Sequence, residues 1–337
     1  MRMKNKKIVI LVCSVVILFV LSILMSLAAE AQEKKLTFVV ALNAGMIPFF
    51  VPGRIGAMDA GEKFGVNVEW IGPPTPDVSK LVNLLESVII RKVDGIVIQA
   101  PNWESMASTI EKIEAAGIPV VAMNNDLGPL TYVGQDHVNA GVSIGKELIK
   151  ALSGEGDWAE YHKLPKRKPE GKVVFYIDVP GQVTLEARMQ GYKNATKDYP
   201  DIEFVSVFDV TTRGSAAAKR VVEDGMTRYP DLAAHASTVG MGTAMAGQVV
   251  KEKGLVPDVV VVGWDLLEQT LELIEEGVIA ATVGQDPYMQ GFESIRVLYE
   301  HVALGKPLPD KVDTGAEIVT IKNVAEIIAR EKESLKK

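Results

Sequence analysis

The segment Gly95-Ile96-Val97-Ile98-Gln99 is a short apolar run of the kind that forms a buried β-strand. A helical stretch follows over Trp103–Ala116 and ends at Gly117, and Pro119–Met123 predicts a second strand. Short apolar runs separated by helical periods are typical of βαβ units and therefore of a parallel sheet. Right-handed crossovers then place helices on both faces of that sheet.

The alternation of strands and helices continues on both sides of this unit. The same order of elements occurs twice along the chain. The first series predicts strands at 36–41, 66–70 and 133–136, with helices at 55–64, 78–92 and 138–152. Residues 154–171 are polar and rich in Gly and Pro, which predicts a loop. The second series predicts strands at 172–177, 202–208, 235–239, 259–263 and 280–283, with helices at 185–198, 216–229 and 270–276. Two α/β lobes in series imply a cleft, with ligands beyond the carboxyl ends of the strands.

The N-terminus predicts export. Lysines at positions 4, 6 and 7 precede an uncharged run over Ile8–Ala29, and Ala29-Glu30-Ala31 fits a small-x-small cleavage site. Residues 1–31 are therefore interpreted as a signal peptide. The alternative is an uncleaved membrane anchor, because the apolar run is long enough to span a bilayer. Both interpretations place the remainder outside the cytoplasm.

Composition argues against several functional classes. A net charge of −7 disfavours nucleic-acid binding, and the basic cluster Lys163–Lys168 contains Pro165 and is interpreted as a solvated loop. Cys13 is the only cysteine and lies within the predicted signal peptide, so no disulfide is expected. The four histidines lack metal-site spacing, so neither a metal nor a cofactor is expected. The roughly 300 residues after the signal predict two domains.

Polar and aromatic residues are placed where the predicted strands end. Asn43 precedes Phe49-Phe50, Asn124-Asn125 ends one strand, and Trp264-Asp265 and Gln285 end two others. Carboxylates and amides offer strong hydrogen bonds to neutral hydroxyls, and aromatic rings can pack against the C–H faces of a sugar. We expect Phe50 to face the cleft and Phe49 to lie in the core. Asp136 also follows a strand, where an aspartate is equally typical of a helix N-cap.

These residues, in this order, resemble the ribose-type sugar-binding proteins, the type I periplasmic binding family. The matching segments are 48–50, 62–66, 93–98, 116–121, 134–136, 188–192, 229–231, 262–265 and 277–285. The resemblance implies an α/β fold of two Rossmann-like lobes with parallel sheets joined by a three-segment hinge (periplasmic binding protein-like I). It implies hinges near 134–137, 285–287 and 313–316. The expected lobes are 33–136 with 286–313 and 137–285 with 314–330, followed by a charged tail at 331–337.

The resemblance also implies a function and a site. The expected protein is a monomeric periplasmic receptor, not an enzyme, which captures a neutral sugar or polyol and delivers it to the membrane permease of an ABC importer. A chemoreceptor is a further expected partner of the closed form. The pocket positions that the resemblance implies are Phe49, Phe50, Arg188, Asp265 and Gln285. The residues themselves add six further predicted ligand-binding positions, which are Asn43, Trp103, Asn124, Asn125, Asp136 and Trp264.

The chain also departs from the ribose-binding pattern. Ile47, Asn124-Asn125 and Gly242 stand where ribose binders carry Asn, Asp-Arg and Asn, so ribose itself is not expected. Segment 72–78 resembles autoinducer-2 and rhamnose receptors, whereas Asp286–Met289 resembles glucose- and xylose-type receptors. The sugar therefore remains open, and an autoinducer-2 receptor is one alternative.

Other functional classes fit the sequence less well than a receptor. Gly141–Gly145 matches the hydrolase pattern GxSxG, but Ser143 falls inside a predicted helix rather than directly after a strand. A secreted glycosidase would need Asp265 and Asp136 as paired carboxylates across a scissile bond. The alternative for Arg188 is a solvated helix residue.

Overall fold

The computed structural model describes residues 35–177, 182–209 and 214–334. In chain order its strands are β1 (Thr37–Leu42), β2 (Asn67–Ile71), β3 (Gly95–Gln99), β4 (Val120–Met123), β5 (Thr131–Gly134), β6 (Gly171–Ile177), β7 (Ile202–Asp209), β8 (Leu232–Ser237), β9 (Val260–Trp264), β10 (Ala281–Gly284), β11 (Lys311–Asp313) and β12 (Glu317–Val319). The predicted signal peptide and the last three residues of the predicted tail lie outside the described residues.

Eleven α-helices accompany these strands within the described residues. They are α1 (Val51–Phe64), α2 (Val78–Arg91), α3 (Ala107–Ala115), α4 (His137–Leu152), α5 (Gly156–Tyr161), α6 (Val183–Thr196), α7 (Ser215–Arg228), α8 (Gly240–Glu252), α9 (Glu268–Glu275), α10 (Pro287–Leu304) and α11 (Val324–Ser334). A short 3₁₀ turn at Pro48–Phe50 precedes α1.

The strands form two sheets of the same design. The first has the order β11-β5-β4-β3-β1-β2 and the second has the order β12-β10-β9-β8-β6-β7. All pairings are parallel except that of β10 with β12. Each sheet carries helices on its faces, so interior strands are largely apolar, and all five residues of β3 are buried. The predicted fold class, two Rossmann-like lobes with parallel sheets, is confirmed.

The chain passes between the two sheets three times. It leaves the first sheet after Gly134, returns from the second after Gly284, and leaves the first again between Asp313 and Glu317. These positions coincide with the three segments that the resemblance implied as hinges. The lobe boundaries, 33–136 with 286–313 and 137–285 with 314–330, stay a prediction.

One predicted loop contains a helix. Residues 154–171 include α5, whose Trp158 is buried and donates from Nε1 to the carbonyl oxygen of Gly277 at 2.7 Å. The polar composition of the segment gave no apolar period to indicate the helix. His162, which follows α5, also contacts the Gly277 carbonyl oxygen at 2.7 Å.

Three other helix boundaries also differ from the predictions. Helix α1 begins at Val51 rather than Ile55, because proline is tolerated in a first helical turn. Helix α3 begins at Ala107 rather than Trp103, since the Asn102 side chain accepts from Ser105 N–H and holds a turn there. Helix α11 continues to Ser334, into the predicted tail.

Strand β8 is displaced from its predicted position. It runs over Leu232–Ser237 instead of 235–239, and Leu232 pairs with Lys172 while Ala234 pairs with Val260. The alanines at its start have low strand propensity, so the sequence pattern indicated a later beginning.

The glycines of the GxSxG segment serve helix packing. A Cβ at Gly141 would lie 2.8 Å from the Cα of Gly191 in α6, and one at Gly145 would lie 2.7 Å from the Cβ of Ala195. Ser143 lies within α4 and donates to the carbonyl oxygen of Asn139 at 3.0 Å. The two glycines therefore allow α4 to pack closely against α6, and the segment does not form a catalytic turn.

We predict that Gly141→Ala lowers the free energy of unfolding by about 1–3 kcal/mol, because the added methyl forces two packed backbones apart. Urea denaturation would measure this. Ser143→Ala on the same helix is the control and should change stability by less than about 0.5 kcal/mol. Equal stability of the two variants would contradict the close contact.

Candidate functional site

The candidate site lies where the carboxyl ends of the two parallel sheets meet the crossing segments. Asn124 follows β4 of the first lobe, Asp265 follows β9 of the second, and Gln285 lies on the second crossing. Hydrogen bonds from Gln285 to Asp265 and between Asn124 and Gln285 join all three side chains. The structure therefore brings three predicted residues, far apart in sequence, into one group.

Asp265 lies at the centre of this group. Its Oδ1 accepts from Gln285 Nε2 at 2.9 Å, and its Oδ2 accepts from the N–H of Gly240 at 3.2 Å. Gly240 is the first residue of α8, where a helix presents N–H groups without intrahelical partners. Asp265 has a φ of 66°, a conformation that aspartate adopts more readily than most residues. The carboxylate thus accepts one hydrogen bond from the second crossing and one from the start of a helix.

Amide groups extend the network into the first lobe. Asn124 Nδ2 lies 3.4 Å from Gln285 Oε1 and 3.2 Å from Gln290 Oε1. Gln290 belongs to α10 and is 1% exposed. Sequence reasoning missed it, although the segment Asp286–Met289 that resembles glucose- and xylose-type receptors ends one residue before it.

Arg188 is buried beside this network, so its interpretation as a solvated helix residue is wrong. It is 4% exposed, its Nη1 donates to the carbonyl oxygen of Thr238 at 2.8 Å, and its guanidinium carbon lies 4.6 Å from the Trp264 ring centroid. Burial lowers the pKa of Arg188, and the carboxylate of Asp265 acts against that shift. A buried cation stacked on an aromatic ring with a nearby carboxylate is electrostatically compensated.

Trp264 is a predicted ligand-binding residue, and the structure shows which groups surround its ring. Its side chain is fully buried, and Nε1 donates to Gln135 Oε1 at 3.2 Å. Gln135 is also fully buried, and its Nε2 donates to the carbonyl oxygen of Gly284 at 2.8 Å. Trp264 therefore packs against the guanidinium of Arg188. Gln135, which sequence reasoning missed, joins the first crossing to the second.

The burial of the two phenylalanines is the reverse of that predicted. Phe50 is buried at 4% exposure while Phe49 is half-buried, and their ring centroids lie 5.0 Å apart at 78°. The 3₁₀ turn at Pro48–Phe50 sets this orientation, which period-based reasoning does not describe. The more exposed ring is thus Phe49.

Asn125 connects the lobes directly instead of remaining free. Its Nδ2 donates to the carbonyl oxygen of Ala100 at 2.8 Å, and its Oδ1 accepts from Thr184 Oγ1 at 3.0 Å. Thr184 lies in the first turn of α6, in the second lobe. Asn43 differs, because its Oδ1 is buried and has no partner within the described residues.

Asp136 is a helix cap rather than part of this group. Its Oδ1 accepts from Asn139 N–H at 3.0 Å, and its Oδ2 pairs with Lys311 Nζ at 2.8 Å. Partial burial raises its pKa, but the Asn139 hydrogen bond and the Lys311 ion pair outweigh that effect and hold the pKa below its usual value. It lines a separate cavity of about 120 Å³ beside the first crossing, with Lys311 and Thr184.

Trp103, the remaining predicted ligand-binding residue, lies in the loop after β3. It is half-buried and packs beside Gly128 and the first-lobe core. Within the described ranges, no group of three or more His, Cys, Asp or Glu side chains is arranged for a metal ion. In the same ranges, none of the helices has the length and apolar character required to cross a membrane.

Comparison with known proteins assigns the chain to a family. Residues 38–307 match the model described as periplasmic binding protein domain, so the chain belongs to this family. The predicted membership of the type I periplasmic sugar-binding proteins is thereby confirmed.

Several similar proteins have curated names or solved structures. The chain is 24% identical over 297 residues to a xylose/arabinose-binding protein of Sulfolobus acidocaldarius, covering 82% of this chain and 69% of that one. It is 25% identical over 273 residues to a ribose import binding protein of Bacillus subtilis, with coverage of 78% and 80%. A solute-binding protein of Burkholderia graminis, solved with D-arabinose, has a TM-score of 0.75 and 26% identity, covering 87% and 98%. All three are named as binding proteins, which supports a receptor rather than an enzyme.

Acid should weaken the fold through two buried histidines. Burial lowers the pKa of His137 to about 3, assisted by the charge of Arg188, and burial likewise lowers the pKa of His235 to about 3. The unfolded chain binds these protons near the ordinary value of 6.5. The stability they contribute is therefore complete above that pH and is lost as the pH falls toward the folded value.

We predict that the free energy of unfolding of the wild type falls between pH 6.5 and about 4.5, and that His137→Gln flattens this slope. Urea denaturation at several pH values would measure it. His235→Gln should act in the same direction, and the two effects should add because the side chains share no partner. A wild-type stability independent of pH in this window would contradict the prediction.

Proposed function

We propose that the chain is an exported receptor that binds a neutral sugar or polyol between its lobes and delivers it to an ABC importer. The observation that carries this proposal is the network of Asn124, Gln285 and Asp265, which unites both lobes and a crossing segment. Such a network offers many directional partners to a ligand rich in hydroxyl groups.

The proposed polar contacts come from groups with free hydrogen-bonding capacity. Asn43 Oδ1 is a buried acceptor without a partner in the described residues, and a ligand hydroxyl would satisfy it. Arg188 uses Nη1 and Nε for Thr238 and His137, and its Nη2 has no acceptor within the described part of the chain. Asp265 has further lone pairs, because each carboxylate oxygen accepts more than one hydrogen bond.

The proposed apolar contacts come from Phe49 and Trp103. Both are half-buried and follow strands of the first lobe. Their ring faces suit the C–H faces of a pyranose or furanose. Phe50 and Trp264, in contrast, are proposed to hold Phe49 and Arg188 in place.

The ligand is proposed to be uncharged. The network holds one buried cation, Arg188, and one carboxylate, Asp265, so a charged ligand would leave an excess charge in a desolvated site. The names of the relatives, which refer to xylose, arabinose and ribose, support a monosaccharide. Ribose binders are expected to carry an arginine at the position of Asn125. Here the Asn125 side chain is hydrogen-bonded to Ala100 and Thr184, so the site differs from that expected of a ribose binder.

Closure of the lobes would follow binding. The Asn125–Thr184 contact shows that the lobes can approach within hydrogen-bond distance. A sugar that bonds to both lobes favours the closed form by its differential affinity, and the closed form presents a composite surface to the permease. Export is proposed from the basic residues and the apolar run before Gln32.

Sugar binding is tested by calorimetry with a panel of D-xylose, D-arabinose, D-ribose, D-allose, D-glucose and D-galactose. We predict that Asp265→Asn weakens the tightest ligand by about 1.5–3 kcal/mol, because a hydrogen bond to a charged group is lost. Asparagine also tolerates the φ of 66° at this position, so the substitution should not strain the backbone there.

Asp136→Asn is the matched control, because it neutralises a carboxylate that caps α4 rather than one in the network. It should leave the sugar affinity unchanged. Normal binding by Asp265→Asn would contradict the proposed site. If the folded wild type binds none of these sugars but binds autoinducer-2, the proposed ligand class is wrong and the protein is an autoinducer-2 receptor.

A further inference from the structure

Three side-chain amides from separate elements meet around Gln290. Its Oε1 lies 3.2 Å from Asn124 Nδ2, and its Nε2 lies 3.5 Å from Gln285 Oε1. Asn124 Nδ2 also lies 3.4 Å from Gln285 Oε1, which closes a triangle. Gln290 is 1% exposed and belongs to α10, which packs against α1 in the first lobe. It therefore contacts the proposed site from behind.

The orientation of each amide follows from the carboxylate of Asp265. An ionised carboxylate can only accept hydrogen bonds, so Gln285 must direct its Nε2 group toward Asp265. Its Oε1 then faces Asn124 and Gln290 and requires donors from both. Asp265 thus determines, through Gln285, the direction of the hydrogen bonds in the first lobe.

Gln290 makes this orientation the only one that satisfies all three amides. If the side-chain amide of Gln290 were reversed, its Nε2 would face the Nδ2 of Asn124, and its Oε1 would face the Oε1 of Gln285. Both contacts would then be repulsive. If Asn124 were reversed, its Oδ1 would face two other carbonyl oxygens. As oriented, Asn124 keeps its Oδ1 without a partner in the described residues, and the side chain is half-buried.

We propose that Gln290 is a positioning residue that determines ligand specificity, because it locks Asn124 so that the first lobe presents an acceptor, Oδ1, to a ligand hydroxyl. The site then selects ligands that donate a hydrogen bond at this position. A deoxy or O-methyl analogue leaves a partly buried acceptor unpaired, which binding sites of this kind reject strongly. This inference rests on the proposed function, since it concerns the same site.

The test compares Gln290→Met with the wild type by calorimetry. The ligand is the tightest-binding sugar of the six-sugar panel, and each of its monodeoxy analogues is measured beside it. One analogue, lacking the hydroxyl that meets Asn124, should bind the wild type roughly tenfold or more weakly than the parent sugar. Gln290→Met leaves Asn124 with only the 3.4 Å contact to Gln285, so that ratio should fall, while the ratios for the other analogues persist.

A further variant separates positioning from a purely structural role. Ser294→Ala removes a hydroxyl that donates to the Gln290 carbonyl oxygen at 2.7 Å, on the same helix, and should keep the wild-type ratio. If Gln290→Met weakens every sugar and analogue by the same factor, Gln290 is structural and the inference is overturned.

An independent measurement on the wild type covers the case in which Gln290→Met does not fold. The Nδ2 protons of Asn124 should be protected from solvent exchange by NMR in the unliganded protein, because both are directed into the triangle. Exchange as fast as that of an exposed amide would overturn the inference. A wild type that binds no sugar would refute the proposed function, whereas normal sugar binding with an unchanged deoxy ratio would refute only the role of Gln290.

Discussion

The carboxylate of Asp265 is the group on which the arrangement of the site depends. It accepts from Gln285 on a crossing segment and from the N–H of Gly240 at the start of α8, so it joins that segment to the second lobe. It also provides negative charge near Arg188, whose side chain is almost completely buried. Without this carboxylate, a desolvated guanidinium would lack compensation and Gln285 would lose its orientation.

The crossing segments are connected by buried polar contacts rather than by apolar packing alone. Gln135 on the first crossing donates to Gly284 beside the second, and more weakly to Gly315 on the third at 3.4 Å. Tyr132 donates to the carbonyl oxygen of Gln135 at 3.0 Å. Because such groups are costly to leave unpaired, these contacts hold the three crossing segments together.

The architecture is predictable from sequence because it rests on local periodicity. Apolar runs such as β3 and the helices between them identify parallel sheets, and the polar residues after β4 and β9 identify the edge at which the candidate site lies. The position of Asp265 directly after an apolar strand therefore marks it as a candidate site residue from sequence alone. The GxSxG segment was also correctly rejected as catalytic, since Ser143 lies inside α4.

Side-chain direction and long-range pairing were not predictable in the same way. Trp264 belongs to the motif at the end of β9, yet its ring faces inward because Gln135 and Arg188, distant in sequence, surround it. Gln290 carries no local signal, because its role arises only where α10 meets β4 and the second crossing. Phe49 and Phe50 depend on a 3₁₀ turn, whose side-chain directions follow neither the helix nor the strand period.

The central claim is that one hydroxyl-rich ligand binds between the lobes at the Asp265 carboxylate. A crystal structure of the protein grown with its tightest sugar tests this most directly. The account predicts density for a single sugar within hydrogen-bond distance of Asp265, Asn124 and the Nη2 of Arg188, with one face against Phe49. Density for the sugar elsewhere, with these groups in contact only with water, would contradict it.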